Sequence, residues 1–237
     1  MSNLLMLFKG EFMEYLIRIP IILIALTVHE FSHGFVAYKL GDPTARATGR
    51  MSLNPLRHLD VFGAISMLLF GFGWANPVEI NAGNFKNPKR GMAISALAGP
   101  ISNIVLALVG IILTCIYTPV CSKVLISSQS GLVANFMIVV HIFLVSFVYL
   151  NVSLACFNLI PIPPLDGSRV LTSFLPDRFY YKLMLYENYI SMGLMILLFT
   201  HVLDTPLMYY RGFILKILCY LVSWIPGIGQ YAEVFGI

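Results

Sequence analysis

Charged side chains are scarce in this sequence of 237 residues. They make up 11% of the chain, whereas soluble globular domains carry about 25%. Long polar stretches are missing too: the two longest, residues 41–60 and 76–90, are too short to hold an independent core. Hydrophobic residues, by contrast, account for 58% of the chain. The composition therefore argues against a soluble protein and predicts an all-α polytopic membrane protein.

Three further features are lacking. The sequence has no basic cluster interleaved with aromatic residues, so its net charge of +4 does not indicate a nucleic-acid partner. It has no Cys-x-x-Cys pair, so the four cysteines are expected to be small packing residues, with a Cys115–Cys121 bridge as the alternative. It has no convincing signal peptide, because the first long apolar segment carries the motif described below. Residues 1–15 are expected to form a short interfacial helix.

Five apolar segments are long enough to cross a bilayer, which takes about 20 helical residues. They are residues 16–40, 91–118, 131–157, 181–203 and 207–225. A sixth segment, 61–75, is shorter and is expected to be re-entrant or interfacial. The alternating residues 77–81 predict a short β-strand or hairpin. The predicted fold is thus five to six transmembrane helices with a short re-entrant or β-hairpin element.

We expect one membrane-embedded domain over residues 1–237, with a core at about 16–175 and C-terminal helices at about 181–225. Basic residues predict its orientation in a cell membrane, since loops rich in Lys and Arg stay in the cytoplasm. If 61–75 does not cross, residues 41–90 and 158–180 share one side. The basic residues of that side are Arg46, Arg50, Arg57, Lys86, Lys89, Arg90, Arg169 and Arg178. The multi-pass chain would then have its N-terminus outside.

The first apolar segment contains the run His29-Glu30-Phe31-Ser32-His33. An ionisable side chain inside a bilayer costs on the order of 2.5–3.5 kcal/mol, so several on one helical turn indicate a function. Histidines at i and i+4 share a helix face, and His-Glu-x-x-His is the zinc-protease spacing. Counted back from Leu40, the histidines lie roughly 10–16 Å below the cytoplasmic face. The alternative is a pair of histidines that only hydrogen-bond neighbouring helices.

A catalytic zinc takes three protein ligands and keeps one open position. The longer zincin pattern would need glycine at position 36 and histidine at 39, where the chain has Val36 and Lys39. Asp166 stands out because it follows a proline-broken loop that returns to the side on which the histidine helix opens. The candidates for the third ligand are Asp42, Asp60, Asp166, Asp177 and Asp204.

Two motifs together carry a family resemblance. The His29–His33 motif and residues 158–167, which read Asn-Leu-Ile-Pro-Ile-Pro-Pro-Leu-Asp-Gly, resemble the His-Glu-x-x-His and Asn-x-x-Pro-x-x-x-Leu-Asp-Gly signatures of the site-2 proteases. Residues 99–103, Gly-Pro-Ile-Ser-Asn, resemble the Gly-Pro-x-x-Asn element of many members. The chain is similar to the compact branch of that family, which lacks PDZ and CBS domains. Its last 55 residues carry little of the resemblance.

This resemblance implies an intramembrane zinc metalloprotease that cuts transmembrane protein substrates within the lipid bilayer. It implies one Zn²⁺ per chain, held by His29, His33 and Asp166. It also implies that Glu30 is the general base and that Asn158 assists near the reacting carbonyl. Asn103 either lines the site or only hydrogen-bonds between helices. The active site is expected to open toward the cytoplasm, while the oligomeric state is left open.

Two other functions compete with the protease. A divalent-metal transporter also places His, Glu and Asp in the membrane, but its ligands should be spread over several spans with internal repeats. Here the motif residues gather at one depth and no repeat is visible. An inactive relative that only grips membrane segments is the third hypothesis, and the complete set of ligands plus Glu30 weighs against it.

Overall fold

A computed structural model describes residues 12–70, 76–127, 130–176, 178, 182–183, 185–226 and 234–235. Single turns of 3-10 helix lie at Pro55–Arg57 and Ala82–Asn84, and no β-strand occurs among the described residues. The predicted all-α class is therefore confirmed. The α-helices are α1 (Phe12–Lys39), α2 (Thr44–Ala47), α3 (Val61–Phe70), α4 (Pro88–Ser127), α5 (Gly131–Asn158), α6 (Asp166–Phe174), α7 (Glu187–Phe199) and α8 (Asp204–Ser223).

Among the described residues, three helices have the length and composition to cross a membrane. They are α4, α5 and the Leu16–Lys39 part of α1. The pair α7 and α8 meets the same test only together, and it is bent by 89° at its break. Since α7 has 13 residues, it is about 20 Å long and falls short of the bilayer's apolar core of about 30 Å. The described residues therefore support three or four spans rather than the expected five to six.

Helix α3 covers the first part of the segment 61–75. Its described part has 10 residues, about 15 Å. Residues 71–75 lie outside the described residues, so the re-entrant or interfacial placement stays a prediction. Residues 77–81 are non-helical, but the predicted hairpin is not found where the structure describes the chain. The backbone of this segment instead forms hydrogen bonds to side chains. The Val78 N–H donates to Glu30 and the Asn81 N–H donates to Asp42.

The main apolar core lies between α4, α5 and α8. It is close-packed, since a Cβ atom at Gly110 of α4 would lie 2.8 Å from the Cγ2 atom of Val148 of α5. All four cysteines are free and buried, so they pack as predicted and the alternative Cys115–Cys121 bridge is not formed. The core residues are Ala107, Ile111, Cys115, Val148, Val152, Cys156, Leu215, Leu218, Cys219, Val222 and Phe235.

Asp42 joins the segment after α1 to residues 81–84. Its side chain is fully buried. Its Oδ1 accepts hydrogen bonds from the Thr44 hydroxyl at 2.5 Å and the Asn84 amide at 2.7 Å, and its Oδ2 accepts from the Asn81 N–H at 2.7 Å. Burial favours the neutral acid, but these hydrogen bonds outweigh it and hold the pKa of Asp42 below its ordinary 3.8. The carboxylate thereby fixes the segment that covers the site described next.

We expect Asp42→Asn to lower the free energy of unfolding by about 1.5–3 kcal/mol near neutral pH, the typical worth of a hydrogen bond to a charged group. Because the folded pKa is depressed, this contribution is complete above the ordinary 3.8 and is lost as pH falls through the folded pKa. Unfolding midpoints in detergent from pH 7 to pH 3 check this. A gap between wild type and variant that widens on acidification would contradict it.

Candidate metal centre

Three predicted ligands meet at one point between α1 and α6. His29 and His33 lie one turn apart on α1, both buried, with ring centroids 4.6 Å apart. Asp166 is the first residue of α6, and its Oδ2 lies 3.1 Å from the Nε2 of His29 and 3.2 Å from the Nε2 of His33. The three ligand atoms lie within 4.8 Å of one another. This is the spacing of a metal-binding cluster.

The other nitrogen of each imidazole is already engaged. His29 Nδ1 lies 2.5 Å from Asn103 Oδ1, and His33 Nδ1 lies 2.7 Å from the backbone carbonyl oxygen of Ser95. Both partners are acceptors, so each Nδ1 carries the hydrogen, and in the neutral imidazole each Nε2 keeps a lone pair. Metal-binding histidines generally donate their second N–H to such partners, which fixes the tautomer.

These tautomers make the cluster fit a cation. The two Nε2 lone pairs and the Asp166 carboxylate converge, and among the described residues none donates a hydrogen bond to Asp166 Oδ2, which is buried. Three converging acceptors without a donor repel one another unless a positive charge lies between them. Two imidazoles and one carboxylate with one position left open form a donor set used by catalytic zinc. The residues present therefore fit the metal.

Two glycines allow the close helix packing that places the three ligands. A Cβ atom on Gly99 of α4 would overlap the imidazole of His33 and would lie 2.6 Å from the Cε1 of His29. A Cβ atom on Gly167 would overlap the carbonyl oxygen of Leu159 at the end of α5. The first glycine lets α4 approach the histidine face of α1. The second lets α6 begin close against α5, which places Asp166 over the histidines.

Glu30 lies beside the ligands without being one of them. It is buried, and its Oε2 accepts a hydrogen bond of 3.0 Å from the backbone N–H of Val78. Both residues line a cavity of about 290 Å³ that also contains the three ligands. A carboxylate in this position can exchange protons with a molecule in the cavity.

Asn158 and Arg169 line the same cavity. The amide nitrogen of Asn158 donates one hydrogen bond of 3.1 Å to the Leu154 carbonyl of its own helix, and an amide carries a second hydrogen. Arg169 forms an ion pair with Glu187 at 2.8 Å, which connects α6 to the start of α7. One wall of the cavity is thus tied to the C-terminal helices.

The remaining aspartate candidates have other partners or are not described. Asp42 binds residues 81–84, Asp60 Oδ1 accepts the N–H of Gly63 at 2.7 Å, and Asp204 pairs with His201 at 2.9 Å. Asp177 lies outside the described residues. Of the five candidates, the structure brings only Asp166 to the histidines within the part of the chain that it describes.

Sequence reasoning left the role of Asn103 open and missed several other contributors. Asn103 accepts from the His29 Nδ1–H and donates across to α5 through Asn151, and it is not among the residues that line the cavity. The carbonyl of Ser95 and the N–H of Val78 are backbone groups, and side-chain patterns give no signal for them. Gly99 could have been found, because it opens the Gly-Pro-x-x-Asn element. Asn151, a polar residue inside an apolar span, offered the same kind of signal.

The buried His-His-Asp cluster and the adjacent glutamate, in a helical and apolar protein, are the ligand set and the base expected of a membrane metallopeptidase. Comparison with known proteins specifies the family: the chain belongs to peptidase family M50, whose sequence model matches residues 17–201. The resemblance to site-2 proteases and the expectation of a zinc metalloprotease are thereby confirmed. Zinc is the metal that this family implies, whereas a transporter receives no support.

Two curated relatives agree with this assignment. The chain is 39% identical to "Putative zinc metalloprotease YwhC" of Bacillus subtilis (strain 168) over 168 residues, which is 71% of this chain and 73% of the relative. It is 28% identical to "Putative zinc metalloprotease Rip2" of Mycolicibacterium smegmatis (strain ATCC 700084 / mc(2)155) over 154 residues, 63% of this chain and 53% of the relative. No solved structure matches the chain significantly.

Proposed function

We propose that this protein hydrolyses peptide bonds within or near the transmembrane segments of membrane-anchored proteins, as in regulated intramembrane proteolysis. The observation that carries the proposal is the meeting of His29, His33 and Asp166 in one cavity with Glu30. His29, His33 and Glu30 lie within a helix of spanning length. In this proposal His29, His33 and Asp166 hold the single zinc ion.

The chemistry then follows from the cavity. Bound zinc supplies Lewis-acid polarisation of the scissile carbonyl and lowers the pKa of water from about 15.7 to near 7. Glu30 takes the proton of the attacking water and passes it to the leaving amine. The second amide hydrogen of Asn158 donates to the oxygen on which charge develops, and one such donor is typically worth about 2.7–4 kcal/mol of barrier.

We propose that the cavity opens toward the cytoplasm. Pro77, Val78 and Ile80 contribute to its lining, as does the segment that follows Asn158. Both segments fall in the regions that the positive-inside rule assigns to the cytoplasm when residues 61–75 do not cross the membrane. Water therefore reaches the metal from that side, and the chain crosses the membrane several times. The substrate is a transmembrane protein, and the lipid bilayer surrounds the reaction.

The substrate must present an extended backbone, because a helix keeps its carbonyls hydrogen-bonded and sheathed by side chains. We expect helix-weakening residues such as Gly, Pro or Asn near the cut. Residues 77–81 are non-helical and unpaired with any strand in the described part of the chain, and Val78 and Ile80 line the cavity. This segment is suited to bind an unwound substrate by strand addition.

Replacement of Val78 by proline tests this segment. The change removes the N–H that holds Glu30, because proline has no backbone N–H. We expect cleavage to fall about 10-fold or more, since a hydrogen bond to a charged group is worth about 1.5–3 kcal/mol, while zinc content stays unchanged. Initial rates and metal analysis in detergent measure both. Val78→Ala, which keeps the N–H, is the control, and a proline variant that cuts at the wild-type rate would show that this N–H does not position Glu30.

The proposed activity is tested by comparing the proteomes of membranes that carry either the native chain or its Glu30→Gln form. We expect membrane-anchored stubs to accumulate with the variant, and to do so again when wild-type cells are depleted of zinc. Identical membrane proteomes under conditions in which both forms are expressed and folded would contradict the proposal.

A further inference from the structure

Asn151, in the middle of the apolar helix α5, has no part in the chemistry described above. Its side chain is fully buried at 0% exposure, as is that of Asn103 on the neighbouring α4. A buried amide is costly unless its donor and acceptor groups are paired. Here both amides are hydrogen-bonded, and their hydrogen bonds connect Asn151 through Asn103 to His29 of the metal site.

The direction of these hydrogen bonds is fixed by backbone carbonyls, which only accept. The Asn151 amide nitrogen donates to the Phe147 carbonyl at 2.8 Å, so its oxygen faces Asn103 and accepts from that amide nitrogen at 2.9 Å. The Asn103 nitrogen also lies 3.3 Å from the Ala25 carbonyl. The Asn103 oxygen is therefore the atom that faces His29 Nδ1 at 2.5 Å.

We propose that Asn151 is a positioning residue that sets the tautomer of His29 through Asn103. We call Asn151, Asn103 and His29 the asparagine relay. Asn151 holds the Asn103 amide in one orientation, that orientation requires the hydrogen on His29 Nδ1, and the lone pair on Nε2 is left for zinc. This inference rests on the proposed function, because it assumes that His29 is a zinc ligand.

His33 provides an internal comparison. Its Nδ1 donates to the backbone carbonyl of Ser95, a group that no side-chain substitution can turn around. His29 depends instead on a side-chain amide, which can flip and present its NH₂ group to Nδ1. A flipped Asn103 would favour hydrogen on Nε2 and oppose metal binding. Loss of Asn151 should thus affect one histidine of the pair and spare the other.

Four variants separate this role from simple packing. Asn151→Leu removes the acceptor at similar volume, and Asn151→Thr forms a local bond to the Phe147 carbonyl while falling short of Asn103. Asn151→Asp, in its neutral acid form, keeps an acceptor for Asn103 and a donor for Phe147. Val152→Ala loosens the adjacent fully buried position of the same helix without touching the relay.

Two measurements on the full-length protein in detergent report on the relay. The first is zinc affinity by competition with a chelator. The second is the proton spectrum of the cobalt(II)-loaded protein, in which the Nδ1–H of each coordinated imidazole gives a shifted, exchangeable resonance. We expect Asn151→Leu and Asn151→Thr to weaken zinc binding by about 10-fold, the low end for partners of metal ligands. In these two variants the Nδ1–H resonance of His29 should exchange with solvent faster, while that of His33 is unchanged.

The controls decide the result. Asn151→Asp and Val152→Ala should both retain wild-type affinity and both resonances. The proposal is overturned if Asn151→Leu and Asn151→Thr behave as wild type, or if Asn151→Asp or Val152→Ala weakens zinc as much as they do. Should Asn151→Leu not fold, the threonine variant alone decides. A wild-type protein that binds no zinc would overturn the proposed function itself, which distinguishes the two failures.

Discussion

Glu30→Gln is expected to abolish peptide hydrolysis while leaving one zinc ion bound per chain. Glu30 is the carboxylate of the cavity that is not one of the three clustered ligands, so its loss leaves the metal ligands intact. Glutamine keeps an oxygen that can accept the Val78 N–H, so the covering segment stays in place. It has no carboxylate to take up a proton, and a positioned base contributes about 10²–10⁴-fold to the rate.

Initial rates and zinc content of the purified protein in detergent measure this directly. Asp60→Asn is the matched control, because Asp60 also accepts a backbone N–H, from Gly63 at 2.7 Å, but it does not line the cavity. That variant should cut at the wild-type rate. A Glu30→Gln protein that cuts at more than about a tenth of the wild-type rate, well above what loss of a general base allows, would show that Glu30 is not the base.

Asp166→Asn is expected to release the zinc and the activity together. The Asp166 Oδ2 lies between both imidazoles at 3.1 and 3.2 Å, and it brings the negative charge to the cluster. A neutral amide of the same shape is a much weaker zinc ligand. Changes to the outer partners of metal ligands already cost about 10–100-fold in affinity, so loss of a ligand should exceed 100-fold.

A zinc titration against a competing chelator checks this expectation. Asp204→Asn is the control, because it removes the carboxylate from the exposed His201–Asp204 pair, whose atoms lie 2.9 Å apart. That pair has the same kind of His–Asp contact as the metal site, but it is exposed to solvent. If Asp166→Asn bound zinc as tightly as wild type, the third ligand would have to be another residue, and the account of α6 would be wrong.

The two histidines could be predicted because their information is local in sequence: residues at i and i+4 meet on any helix. Asp166 is far from them in sequence, and it was singled out among five aspartates by its proline-broken setting and by the resemblance of residues 158–167 to a family signature. The groups that orient the histidines could not be predicted in the same way. The His29–Asn103 bond joins residues 74 apart and the Asn103–Asn151 bond joins residues 48 apart. Such contacts depend on how α1, α4 and α5 pack.

The helices themselves followed from hydropathy, but their ends and breaks did not. Helix α4 runs from Pro88 to Ser127, well beyond the apolar segment 91–118, because backbone hydrogen bonding does not stop where apolar residues end. The break between α7 and α8 contains His201 with φ at 58°, a left-handed conformation uncommon outside glycine. No hydrophobic pattern indicates that turn, so the two segments were expected to be separate spans.

The predicted strand at residues 77–81 shows another limit of prediction from sequence. Residues 77–81 alternate as a strand would, but the backbone N–H groups of Val78 and Asn81 are taken by Glu30 and Asp42. A period of two indicates an extended conformation and not its partner. The partners here are carboxylates that lie far away in sequence.

The most direct test of the whole account is X-ray absorption at the zinc edge of the purified wild-type protein. The account predicts one zinc per chain with two imidazole nitrogens at about 2.0–2.1 Å, carboxylate or water oxygen at about 2.0–2.2 Å, and no sulfur. Sulfur scattering at about 2.3 Å, from any of the four cysteines, or fewer than two imidazoles would contradict it.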